Sequence, residues 1–282
     1  MPDLLISTNG FRGTWSAIEY GGWLAGLLKA KITLLGVEEK SGAGPSESQP
    51  GLDAILAQAI ELFKRNGLEY ELITRKGKAE EVIPEQANLG DFITVVGPLG
   101  RPHLRRWLVG RSIRNLMEAI KGPILYVPSL RLPVKKMLMC VGGLGYEVAA
   151  ENLGFQVAMK SDSDVTILHV VPPINLDYPA SQAERENWDH LLDTDTLAGR
   201  SLRQALETAQ SMGVRASVVT RQGKVEDEIM DEIQHGDYDL VCLGSSYSAS
   251  LMRQLYAPNV TADIAETVAC PMLTARHKLL DS

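Results

Sequence analysis

Gly97-Pro98-Leu99-Gly100, followed by nine residues and then Gly110-Arg111-Ser112, is the spacing in this 282-residue chain with the clearest chemical meaning. Glycines let backbone N–H groups approach an anion closely, and a helix opening at Ser112 adds the partial positive charge of its N-terminus. The chemistry implied is the holding of phosphate oxygens. Arg101, His103, Arg105, Arg106, Arg111 and Arg114 lie in the same segment, a basic run in a chain of net charge −7. That run reads either as an anion-binding rim or as a solvated loop and helix face, and the sequence leaves both open. A bulkier residue at Gly100 is expected to block phosphate approach while leaving the fold intact.

Other candidates are weaker. Gly142-Gly143-Leu144-Gly145 lacks the third glycine of a dinucleotide loop and reads as a turn after a strand. His103, His169, His190, His235 and His277 show no metal-ligand spacing, and no Gly-x-Ser-x-Gly elbow is present. Asp162 with Asp164, and Asp193 with Asp195, read as solvated loop acids. Cys140, Cys242 and Cys270 form no Cys-x-x-Cys pair and read as small, reduced core residues. No catalytic constellation and no metal site is expected.

Composition sets the outer bounds. With 45% hydrophobic and 22% charged residues the chain is expected to fold, and its length suits two domains. The net charge of −7 argues against a general nucleic-acid binder, so any anion site must be local. No apolar run approaches the ~18 residues of a membrane span, and Met1-Pro2-Asp3-Leu4-Leu5 lacks the basic region of a signal peptide. A cytoplasmic location is the expectation.

The elements that must position the glycine loop come in two copies. TRKGKAEEVI, Thr74 to Ile83, returns as TRQGKVEDEI, Thr220 to Ile229, with six of ten positions identical. ITLLGV from Ile32 matches VTILHV from Val165, FITVVG from Phe92 matches DLVCLG from Asp239, and GPILYV from Gly122 matches CPMLTA from Cys270. Matches in one order indicate a duplication. Hydrophobic period predicts, in the first copy, strands at Leu4 to Thr8, Ile32 to Val37, Leu68 to Ile73, Phe92 to Val96 and Ile124 to Val127. Helices are predicted at Trp15 to Leu28, Leu52 to Arg65, Ala79 to Asn88 and Ser112 to Ile120. Strict alternation predicts an α/β class with a mostly parallel sheet in each copy, over residues 1–128 and 134–277. Residues 39–51 and 172–199 are expected to be surface loops or flaps.

The glycine spacing on this framework resembles the nucleotide loop of the universal stress protein family: Gly, two residues, Gly, nine residues, Gly, then Ser or Thr. The three glycines fit, while Arg111 stands at the hydroxyl position with Ser112 one residue later. The resemblance covers nearly the whole chain as two tandem doubly wound domains of the adenine nucleotide alpha hydrolase-like kind, with strand order 3-2-1-4-5. It implies a stress-related regulatory protein holding ATP or another adenine nucleotide in the first copy, at Asn9, Val37, Gly97, Gly100, Arg101, Gly110, Arg111 and Ser112. Asn9 occupies the place of a family Asp, and Val37 the place whose backbone meets the ligand. The second copy departs from the pattern, with Tyr247 and Ala257-Pro258 in place of glycines and Gly142 in place of the Asp. Ligand is therefore expected in the first copy only. A nucleotide-free interaction module is the alternative, and a slow ATPase would need a base or metal that the sequence does not identify. The resemblance also implies an intrachain pseudo-dimer with Ile124 to Val127 and Met272 to Ala275 at or near the contact, and leaves a further homodimer open.

Overall fold

A computed structural model describes residues 2–39, 51–100, 112–142, 148–173, 182–245 and 260–276. The chain divides into two compact units, Met1–Leu132 and Pro133–Ser282.

The first unit alternates strands and helices throughout: β1 (Asp3–Thr8), α1 (Trp15–Leu28), β2 (Ile32–Glu38), α2 (Leu52–Arg65), β3 (Tyr70–Lys76), α3 (Ala79–Ala87), β4 (Phe92–Val96), α4 (Ser112–Ala119) and β5 (Ile124–Tyr126). Its strands pair in parallel in the order β3-β2-β1-β4-β5. β1 lies at the centre, with Ile6 in register with Leu34 of β2 and Val95 of β4. Leu4, Leu5, Ile6 and Ser7 are fully buried, the near-continuous burial of a strand covered on both faces by helices.

α1 reaches that sheet because it carries Gly21 on the contacting face. A Cβ there would stand 2.6 Å from the Ile6 Cδ1 atom. α2 buries Ile55, Leu56, Ala59 and Phe63, which recur at helical spacing along one face.

The second unit repeats the plan: β6 (Lys136–Cys140), α5 (Val148–Ser161), β7 (Asp164–Val171), α6 (Gln182–Glu186), α7 (Leu197–Ser211), β8 (Ala216–Gln222), α8 (Val225–Gly236), β9 (Leu240–Ser245), α9 (Val260–Thr267) and β10 (Met272–Arg276). Its parallel order is β8-β7-β6-β9-β10, the same 3-2-1-4-5 topology. Each unit is thus an α/β fold with a doubly wound parallel sheet.

Two expectations need correction. The third strand runs Tyr70–Lys76 rather than Leu68 to Ile73, because β2 pairs along its whole length, from Ile32 opposite Tyr70 to Glu38 opposite Lys76. Partner register, not hydrophobic alternation, sets the end of this edge strand. Within 172–199, α6, a 3-10 turn at Leu191–Asp193 and the start of α7 replace the expected loop. Buried Glu184 accepts the Ala198 N–H through Oε1 at 3.2 Å, Leu191 is buried, and Arg203 donates to the Leu192 and Thr194 carbonyls at 2.6 and 2.7 Å. Residues 40–50 and 174–181 of the two expected loops lie outside the described residues.

Candidate functional site

In a parallel sheet of this order the chain reverses direction of winding between β1 and β4, which leaves a crevice at their carboxyl ends. The turn from β1 into α1 lines it. Gly10 N–H donates to Thr8 Oγ1 at 3.2 Å, and Thr14 Oγ1 donates to the Phe11 carbonyl at 2.7 Å. The 2.6 Å contact between the two threonine hydroxyls is then donated by Thr8 to Thr14, and the chain of hydrogen bonds closes with every donor used. Gly10 has φ +81°, and a Cβ there would stand 2.9 Å from the Leu52 backbone, so only glycine fits where the start of α2 meets this turn.

Asn9 is the centre of the arrangement. Its Nδ2 donates to Glu39 Oε2 at 2.8 Å and to the Leu99 carbonyl at 3.1 Å, and its Oδ1 accepts the Phe11 N–H at 3.3 Å. One half-buried amide therefore ties together the ends of β1, β2 and β4. Glu39 in turn uses Oε1 to accept the Ala79 N–H at 2.9 Å, at the start of α3. Sequence reasoning did not single out Glu39, which read as the first residue of a loop. The available signal was an acid two positions after Val37, just past the end of the strand adjacent to β1.

The other expected site residues are placed as follows. Val37 lies inside β2, its side chain wholly buried and its register partner Arg75 on β3. Gly97 follows β4 directly, and a Cβ on it would stand 3.0 Å from Thr14 Cα and 3.2 Å from Ala17 Cβ, so the glycine lets the loop seat against the start of α1. Gly100 has φ +67°, and a side chain there would overlap the ring of Phe11. This corrects the expectation that a bulkier residue at Gly100 leaves the fold intact: valine would meet both an unfavourable backbone conformation and an aromatic ring. Ser112 opens α4. Arg101, Gly110 and Arg111, with the rest of the basic run up to Arg111, lie outside the described residues.

The second unit differs at the corresponding strand ends. Where the first unit pairs Thr8 with Gly36, the repeat places Val141 and His169. His169 is buried, and its Nδ1 lies 2.7 Å from the Val141 carbonyl, a contact that puts the proton on Nδ1. An imidazole stands where the first unit has Gly36, a position at which a Cβ would meet the Leu56 side chain at 3.0 Å. Gly142 is exposed, while 143–147 and 246–259, including Tyr247, Ala257 and Pro258, lie outside the described residues.

Cys140, Cys242 and Cys270 are buried free thiols. Burial raises the thiol pKa of Cys140 and Cys242, and Cys270 Sγ donates to the Tyr238 carbonyl at 3.0 Å. Among the described residues no group of His, Cys, Asp and Glu side chains is placed to hold a metal ion, and no helix is long and apolar enough to cross a membrane.

The model of the universal stress protein family matches residues 133–276. Among solved structures, a universal stress protein from Archaeoglobus fulgidus superposes with a TM-score of 0.67 at 14% identity, covering 98% of this chain and 96% of that one. A putative universal stress protein from Pseudomonas aeruginosa gives 0.67 at 16% identity, covering 98% and 93%. The cytoplasmic domain of a prokaryotic cation chloride cotransporter gives 0.56 at 11% identity, covering 98% and 95%. At these identities the likeness concerns the fold. No curated protein matches the chain.

Proposed function

Because the chain belongs to the universal stress protein family, we propose that it is a stress-related regulatory protein whose first unit holds ATP or another adenine nucleotide. The observation that carries this reading is the meeting of the β1, β2 and β4 ends at Asn9, with the Gly97 to Gly100 loop beside it. The nucleoside would lie toward Asn9, Glu39 and the end of β2 near Val37. The phosphates would lie toward Gly97, Gly100, Arg101, Gly110, Arg111 and Ser112, where backbone N–H groups and a helix start suit anions. The described part of the site fits such a ligand at its nucleoside end through hydrogen-bonding groups, and at its phosphate end through a loop without side chains at positions 97 and 100.

A second reading, a nucleotide-free interaction module, is favoured by one specific observation. Gly97 and Gly100 both have reasons within the protein itself, close packing on Thr14 and on Phe11, so their presence does not require a ligand.

Denaturing the protein as purified and chromatographing the supernatant tests the first reading, with an adenine nucleotide as the expected product. Calorimetric titration of the stripped protein completes the test. If no adenine nucleotide is bound in either experiment, the interaction module is the function.

A further inference from the structure

The polarity of the crevice floor has a definite sense. Both hydrogens of Asn9 Nδ2 are used, on Glu39 Oε2 at 2.8 Å and on the Leu99 carbonyl at 3.1 Å, so Asn9 has no spare donor for a ligand. Among the described residues, this end of the crevice presents acceptor atoms: the Glu39 carboxylate, the Leu99 carbonyl and Asn9 Oδ1. An ionised carboxylate only accepts, and its charge repels a phosphate while strengthening any bond from a neutral donor. Glu39 is also held in place, because Oε1 accepts the Ala79 N–H at 2.9 Å where the N-terminal end of α3 favours a negative group.

Leu99 links this acceptor floor to the phosphate end. It lies between Gly97 and Gly100 in one short loop, so the part of a ligand that reaches Asn9 and Glu39 is the part next to the phosphates. In a nucleotide that part is the sugar.

We propose that Glu39 is the specificity-determining residue of the first unit, accepting the hydroxyl hydrogens of a ribose and so selecting ribonucleotides over nucleotides that lack them. The proposal rests on the nucleotide reading above. It also accounts for the neutral residue at position 9. An aspartate there would bring two carboxylates into contact at the 2.8 Å position now held by an amide and a carboxylate, and like charges that close cannot both ionise. The amide at 9 and the acid at 39 belong together.

The test is calorimetric titration of the stripped full chain with ATP and with 2′,3′-dideoxy-ATP. The wild type is expected to bind ATP about tenfold or more tightly than the dideoxy nucleotide, the range for hydrogen bonds to a charged partner. Glu39→Gln is expected to reduce that preference to within about threefold, since the bonds from the sugar lose their charged acceptor. Asn9→Asp is expected to weaken ATP binding, and adding Glu39→Gln to it to restore binding. Equal affinity of the wild type for the two nucleotides overturns the proposal and leaves nucleotide binding standing, as does a Glu39→Gln protein that melts normally yet keeps the preference. Failure of the wild type to bind either nucleotide overturns the nucleotide reading and this proposal with it. The wild-type comparison needs no variant, so it decides the matter even if a substitution impairs folding.

Discussion

Tyr238 illustrates how much one side chain can collect. Its ring is buried, its Oη donates to Glu232 Oε1 at 2.6 Å, and Lys136 Nζ sits 5.0 Å from the ring centroid. Glu232 is shared with Arg221, which also reaches Asp231 at 2.7 Å and Glu228 at 3.2 Å. A lone guanidinium on β8 thereby neutralises much of one face of α8. Burial, reinforced by the bond to Glu232, pushes the Tyr238 hydroxyl up from 10.0 to about 12. The unfolded chain releases this proton near 10 and the folded unit holds it to about 12, so the contribution is complete below pH 10.0 and is lost as pH rises to about 12. Urea unfolding of the wild type is expected to show a falling midpoint across that alkaline window, and Tyr238→Phe a shallower fall. The opposite sign holds for Asp231, whose carboxyl the Arg221 hydrogen bond holds below its ordinary 3.8. Its contribution is present above that pH and disappears as the carboxylate protonates in acid.

At the scale of elements, the two units solve the same problem at the same place. Gly21 of α1 admits Ile6 and Val95, and Gly154 of α5 admits Met139 and Cys242, in each case the central strand and its neighbour across the crevice. In both, a helix lies close on the sheet because one residue of its buried face has no side chain. Gly21→Val would force Ile6 from a fully buried position and is expected to destabilise the first unit by about 1–3 kcal/mol, read from a denaturant midpoint. The same two helices end alike, with Lys29 at φ +56° and Asp162 at φ +53°, a left-handed conformation that costs a residue other than glycine roughly 1 kcal/mol. Asp162 also accepts from Arg215 at 2.7 Å, which gives it a second role that substitution would remove. Lys29→Gly is therefore the cleaner test, and it should raise stability by up to about 1 kcal/mol in the same assay.

For the molecule as a whole the expected outcome is one nucleotide per chain. The first unit keeps glycines at 97, 100 and 110, whereas the second has Tyr247 and Ala257 at two of the matching positions, and Pro258 removes a backbone N–H. A stoichiometry near one in calorimetric titration agrees with this asymmetry, and a value near two would reject it.

Much of this architecture was legible in the sequence because its signals are local. Hydrophobic period and the repeated TRKGKAEEVI segment located most strands and helices and their duplication, and the Trp15, Leu52 and Phe92 boundaries coincide with the structure. The strand order came from the family resemblance, since period says nothing about which strands are neighbours. What only the tertiary structure decided was the meeting of residues 9, 39, 79 and 99, and of Phe11 with Gly100. These residues lie on turns or, for Ala79, at a helix start, where no period marks them, and they come together only because parallel pairing brings the carboxyl ends of β1, β2 and β4 to one edge of the sheet. A hydrogen bond from Asn9 to Glu39 depends on that long-range register, and no property of either residue's neighbours in sequence encodes it.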